Sequence, residues 1–205
     1  MPTPSPALAA PRGLRTVLVT GGAGFIGSAF VHALLGEEPD ARVVTLDALT
    51  YAGSKANLAD VPTARHTFVH GDVCDTRLLI ELLRTHRPDT IVHFAAETHV
   101  DRSIAAPAPF VRTNLVGMAS LLEAAQRVWL DEERLQRDVR LHNVGTDEVY
   151  GDLEPDSPPF TEETPIAPSS PYSASKAAAD HLVLSYFRTH GMDVVVTRCS
   201  NNYGP

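Results

Sequence analysis

Five side chains carry the chemistry of this sequence: Thr146, Asp147 and Glu148 lie side by side, and Tyr172 and Lys176 follow, four residues apart. A four-residue step puts the last two on one helix face, one turn apart. A phenol with an ordinary pKa of about 10 becomes a usable base near neutrality when an ammonium and a positive nicotinamide ring favour its phenolate. That pair alone suits oxidation of an alcohol. The two extra acid/base groups at 147 and 148 make sense only if further protons move at neighbouring carbons. The set therefore points to an elimination through a transient ketone. Two adjacent carboxyl groups in a dry site do not both ionise easily, which leaves one as acid and one as base; the sequence leaves open which holds the proton.

The elements that must position these groups follow from the pattern around them. From Arg15, short β-branched runs alternate with segments of helical periodicity, as in βαβ units. The pattern predicts strands over Thr16–Thr20, Arg42–Asp47, His66–His70, Thr90–Phe94, Val139–Val144 and Val194–Cys199. Helices are predicted over Phe25–Leu35, Thr76–Thr85, Phe110–Val128 and Tyr172–Thr189. Right-handed crossovers then give an α/β fold, a doubly wound, Rossmann-type parallel sheet with helices on both faces. Residues 1–14 read as a flexible leader and 15–205 as one NAD-binding domain that carries the catalytic residues. Val128–Asp138 reads as a solvated, charged connection. Six prolines in Leu153–Pro171 predict an extended loop, expected to wall one side of the active-site cleft.

Gly21-Gly22-Ala23-Gly24-Phe25-Ile26-Gly27 ends the first strand and opens the first helix. It can be read as G-x-G-x-x-G from Gly22 or as G-x-x-G-x-x-G from Gly21. Either way the glycines permit a tight turn and let backbone N–H groups approach a pyrophosphate at the positive helix end. Asp47 closes the second strand, where a carboxylate accepts from the adenosine ribose and repels a 2′-phosphate, which favours NAD over NADP. Asp72-Val73 and Phe94-Ala95-Ala96-Glu97-Thr98 sit at the carboxyl ends of the third and fourth strands, the edge at which an open parallel sheet binds its ligands.

A formal charge of -8 without any Lys/Arg-rich run argues against nucleic acid as a partner. No apolar stretch is long enough to cross a bilayer. Cys74 and Cys199 are too few for a disulfide framework and read as reduced thiols of a cytoplasmic protein. His93, His99, His142 and His181 share no metal-ligand spacing, so no metal is expected.

Several of these segments resemble one family. Thr20–Gly27 (TGGAGFIG), Leu49–Gly53 (LTYAG), Ala95–Ser103 (AAETHVDRS), Thr146–Gly151 (TDEVYG), Ala167–Lys176 (APSSPYSASK) and Cys199–Pro205 (CSNNYGP) resemble the extended short-chain dehydrogenase/reductases. Most closely they resemble the nucleoside-diphosphate-glucose 4,6-dehydratases, and within these the enzymes of dTDP-glucose. The glycine and Tyr/Lys motifs mark only the superfamily, while Asp147-Glu148 separates dehydratases from sugar epimerases. The resemblance implies that Thr146 bonds the sugar 4-hydroxyl, Tyr172 takes its proton, and C4 gives hydride to NAD. Glu148 then abstracts the C5 proton, Asp147 protonates the departing C6 hydroxyl, and hydride returns to C6. It also puts Phe25, Ile26, Asp47, Leu49, Thr50, Asp72, Val73, Thr113 and Asn202 at cofactor positions, and Thr98 and Asn201 near the sugar nucleotide. A homodimer through the two longest helices is implied as well.

Two departures stand out. Gly145 replaces the family's usual Ser before the catalytic Thr, which is expected to loosen the site. The chain ends at Asn201–Pro205, where the family continues into a smaller substrate domain, so these 205 residues are expected to bind NAD with little or no dehydratase activity. The alternatives are another NAD-dependent epimerase or decarboxylase of the family, and a non-catalytic NAD-binding module.

Overall fold

A computed structural model describes residues 13–133 and 138–204, so the expected leader over 1–12 and the middle of the charged connection lie outside the described residues. Six strands form one parallel sheet: β1 (Thr16–Thr20), β2 (Arg42–Asp47), β3 (His66–His70), β4 (Thr90–His93), β5 (Arg140–Thr146) and β6 (Val194–Cys199). Their order is β3-β2-β1-β4-β5-β6, the doubly wound order, and it reverses between β1 and β4. Four strands coincide with the predicted runs. β5 runs two residues further because Thr146 pairs with Cys199 of β6, so Thr146 is itself a strand residue.

Helices cover both faces. α1 (Phe25–Glu37) packs on the side of Val17, Val19, Val43 and Val92. On the other side α2 (Thr76–His86), α5 (Gly117–Ala125) and α6 (Pro171–His190) close over Leu18, Leu46, Ile91 and Leu141. The central strands are apolar on both faces, as a sheet sandwiched between helices requires. α5 is the centre of a longer rod: α4 (Ala108–Phe110) and a π turn (Val111–Val116) lead into it, and a second π turn (Gln126–Glu132) follows. The first half of the expected charged connection is therefore helical, anchored by the fully buried Trp129 and by Arg84 of α2 and Arg87 just past its end, which pair with Glu132 and Glu133. A six-residue helix, α3 (Val100–Ala105), has no counterpart in the predicted pattern; the chain stops being helical just before Pro107.

Candidate active site

The carboxyl ends of all six strands open into one cleft of about 850 Å³, lined by Gly21, Asp47, Gly71, Phe94, Thr146 and Cys199, each at or just past its strand. At the end nearest β1 the backbone makes the site. Gly21 takes φ +71°, and a Cβ there would come 2.6 Å from the Ala95 amide nitrogen. A Cβ on Gly27 would strike the Gly21 carbonyl, so the strand-to-helix turn closes only around bare glycine. Gly24 caps α1 without a side chain, and Gly24, Phe25, Ile26 and Gly27 all line the cleft. Unsatisfied first-turn amides at the positive end of a 13-residue helix favour an anion there.

Asp47 is buried, and its carboxylate accepts from Ala23 N at 2.9 Å and from Leu49 N at 2.8 Å. It ties the glycine loop to β2, and the second bond holds Leu49 at φ +50°, a left-handed conformation that is strained for a leucine. In consequence Leu49 packs its side chain on the core beneath α1 and does not line the cleft, against expectation. Thr50, Asp72, Val73, Ala95, Ala96, Thr113 and Asn202 do line it, as do Thr98 and Asn201.

At the other end side chains make the site. Thr146 caps a 3₁₀ turn (Asp147–Tyr150), its hydroxyl accepting from Glu148 N at 3.3 Å. Successive residues of such a turn point about 120° apart. Glu148 accordingly lines the cleft, and Asp147 sits beside it, half-buried, with its charge still acting on Glu148 and Tyr172. Burial, and then the Asp147 charge, push the Glu148 carboxyl above the ordinary carboxylate range.

Helix α6 starts from a capping box, in which Ser170 and Ser173 bond each other's backbone N–H, with Pro171 in the first turn. That start fixes Tyr172 and Lys176 on the cleft face, both nearly enclosed. Tyr172 N donates to Ser103 Oγ of α3 at 3.1 Å, and Lys176 Nζ donates to the Val144 carbonyl at 2.8 Å. Burial first, then the Glu148 charge, push the Tyr172 phenol up to about 12, while the Thr146 hydroxyl pulls the other way. Burial lowers the Lys176 ammonium from its usual value, with Asp180 and Cys199 opposing.

The Pro-rich loop is extended as predicted, but none of residues 151–171 lines the cleft. It packs behind the acid turn instead: Phe160 and Ile166 cover Val149, Tyr150 and Ala177, and Ala167 N donates to Val149 O. Gly145 leaves no hole either, since a Cβ there would sit 2.8 Å from the Thr197 carbonyl and 3.2 Å from Asp180 Oδ1.

Sequence reading missed Asn114 and Arg112. Asn114, buried in the first π turn, bonds both the N–H and the C=O of Glu97 and donates to Ser175 Oγ at 2.8 Å, locking the β4 loop to α6. Arg112 lines the cleft and pairs with Asp72 at 2.8 Å. No local spacing signals either. Among the described residues no group of His, Cys, Asp and Glu could hold a metal, and no helix is long and apolar enough to cross a membrane.

Comparison with known proteins agrees with this geometry. A dTDP-glucose 4,6-dehydratase of Escherichia coli K12 is 52% identical over 200 residues, which are 92% of this chain and 55% of the relative. The crystal structure of a dTDP-glucose 4,6-dehydratase from Streptomyces venezuelae with NAD and TYD bound superposes with a TM-score of 0.83 at 52% identity, covering 93% of this chain and 57% of that one. A UDP-glucose 4-epimerase from Thermus thermophilus with NAD gives 0.80 at 35% identity, covering 93% and 56%. The chain spans a little over half the length of the relatives it matches. The model of the family described as GDP-mannose 4,6 dehydratase matches residues 18–205, and the chain belongs to that family.

Proposed function

We propose that the protein is an NAD-dependent dTDP-glucose 4,6-dehydratase, forming dTDP-4-keto-6-deoxyglucose and water, with residues 15–205 as its cofactor-binding and catalytic domain. The observation that carries this reading is that Thr146, Glu148, Tyr172 and Lys176 share one cleft with the glycine loop. The bare turn at Gly21 and the uncapped amides of α1 fit a dinucleotide pyrophosphate, and Asp47 keeps lone pairs for ribose hydroxyls. When bound there, NAD would supply a hydride acceptor for oxidation at sugar C4 and a hydride donor for reduction at C6.

The chain's own groups move the protons. Tyr172 Oη takes the proton of the C4 hydroxyl, with Thr146 Oγ1 bonded to the same oxygen. Burial and the Glu148 charge keep the phenol neutral on its own, and a positive ring together with Lys176 would favour the phenolate that acts as base. The resulting ketone acidifies C5–H; Glu148, whose carboxyl burial holds above its ordinary value, takes that proton and returns a proton to C5 once C6 has received hydride. Asp147 delivers a proton to the departing C6 hydroxyl, a role that requires it to turn into the cleft.

Thr146, Tyr172 and Lys176 alone would serve an epimerase, the runner-up reading. It leaves the acid pair without work, and the epimerase match is much less identical than the dehydratase matches. The reading includes a homodimer through α5 and α6, supported by the exposed Val116 and Phe187 on that pair of helical rods, and a cytosolic setting, supported by two free cysteines. The test is incubation of the natively expressed polypeptide with dTDP-glucose and NAD, followed by mass spectrometry. Loss of one water from the sugar nucleotide supports the dehydratase; an isomer of unchanged mass points to the epimerase.

A further inference from the structure

One buried charged group has no part in the chemistry described so far. Asp180 of α6 is fully buried, and carboxylates occupy such positions only when their partners are built in. Its partners come from two other elements. Asn143 of β5 donates to Oδ1 at 2.7 Å, and Arg198 of β6 donates from Nε to Oδ2 at 2.8 Å. Arg198 is 16% exposed at its side chain and extends the network by donating to Tyr150 Oη at 2.8 Å, at the end of the turn that holds Glu148. Gly145 lies directly against Oδ1, so the carboxylate fills the space behind the catalytic threonine.

Asp180 also continues the catalytic stripe. Positions 172, 176 and 180 fall on one helix face at successive turns. Lys176 is itself nearly enclosed, and its ammonium donates to a neutral carbonyl, that of Val144. The titratable groups that act on it are Asp180 on its own helix, Cys199 on β6 and His93 on β4, and His93 is held neutral in the core with its pKa lowered to about 3. Asp180 is the only carboxylate among them.

We propose that Asp180, clamped by Asn143 and Arg198, is a positioning residue for the dehydratase reaction, the buried counter-charge that keeps the Lys176 side chain cationic one turn from Tyr172. This inference rests on the function proposed above only for its kinetic consequence. Its electrostatic content can be read separately, because the sequence contains two lysines, Lys55 and Lys176, and Lys55 is exposed.

The experiment is a pH titration of ¹³C-labelled lysine side chains by NMR in the folded chain, with Lys55 as internal reference. In Asp180→Asn the Lys176 midpoint moves down, and in Arg198→Gln it moves up, because Asp180 then faces Lys176 without its competing cation. Lys55 moves in neither. A structural role alone would not give opposite signs. If Asp180→Asn fails to fold around the unpaired guanidinium, Arg198→Gln and the double variant carry the test, the double variant lying below Arg198→Gln. A Lys176 midpoint that ignores both substitutions overturns the proposal. In active enzyme, kcat of Asp180→Asn falls about tenfold on the alkaline side of the pH profile, with KM changed less than about twofold. An unchanged alkaline limb overturns the positioning role; absence of turnover in wild type as well would instead count against the proposed function and leave the titration result standing.

Discussion

The two halves of the sheet build their share of the cleft by different means. Around β1 and β2 the backbone does it: a glycine turn too tight for any Cβ, uncapped helix amides, and one carboxylate that braces the loop. Around β5 and β6 side chains do it, reaching from α3, α6, the acid turn and the first π turn to hold Tyr172, Lys176 and Glu148. A backbone site tolerates almost no added atoms, and a side-chain site depends on charge and partner count. The two halves should therefore fail separately and in different ways.

The largest separation comes from Tyr172→Phe. Removing the proposed base should lower kcat by about 10³-fold, with NAD affinity within about twofold of wild type by calorimetry. Loss of NAD binding in that variant would break the division. Gly27→Val is the converse. Its side chain meets the Gly21 carbonyl, so NAD affinity should fall by about 100-fold and the domain should lose about 3 kcal/mol in denaturant unfolding.

An alkaline titration sharpens the chemical half. The phenol is raised in the folded state to about 12, so its neutral form stabilises the fold below its unfolded value near 10. That contribution, on the order of 2 to 3 kcal/mol, should be lost as pH rises from about 10 to about 12. Unfolding free energies of wild type and Tyr172→Phe should converge across this window, and parallel curves would show the phenol to be unperturbed. The smallest effect falls on the brace between the halves. Asn114→Ala leaves the Glu97 amide and carbonyl without their partner and should cost about 2 kcal/mol, read as a lower denaturant midpoint.

The same contrast explains what the sequence revealed. The glycine turn is written in seven consecutive residues, and the strands announce themselves as short β-branched runs, so the cofactor end and the doubly wound order could be read almost directly. The chemical end was legible only in its reacting groups. Asp180 does step by four from Tyr172 and Lys176, a signal visible in the chain, but its purpose appears only once Arg198 and Asn143 arrive from strands far away in sequence. Asn114 carries no local mark at all, because its partners Glu97 and Ser175 lie 17 and 61 residues away. Leu49 went the other way: the family resemblance put it at a cofactor position, and its left-handed backbone turns the side chain onto the core beneath α1. The Pro-rich loop was read correctly as extended and wrongly as a wall, since its Phe160 and Ile166 seek apolar cover behind the acid turn.

Removal of a carbon-bound proton by Glu148, after a ketone forms at C4, is the step that sets the proposed reaction apart from epimerisation. It is tested most directly by running the natively expressed polypeptide on dTDP-glucose in D₂O and reading the product by NMR. The expected product is a 4-keto-6-deoxy sugar that has lost one water and carries solvent deuterium at C5. A sugar nucleotide with no deuterium at C5, whether dehydrated or merely inverted at C4, would contradict it.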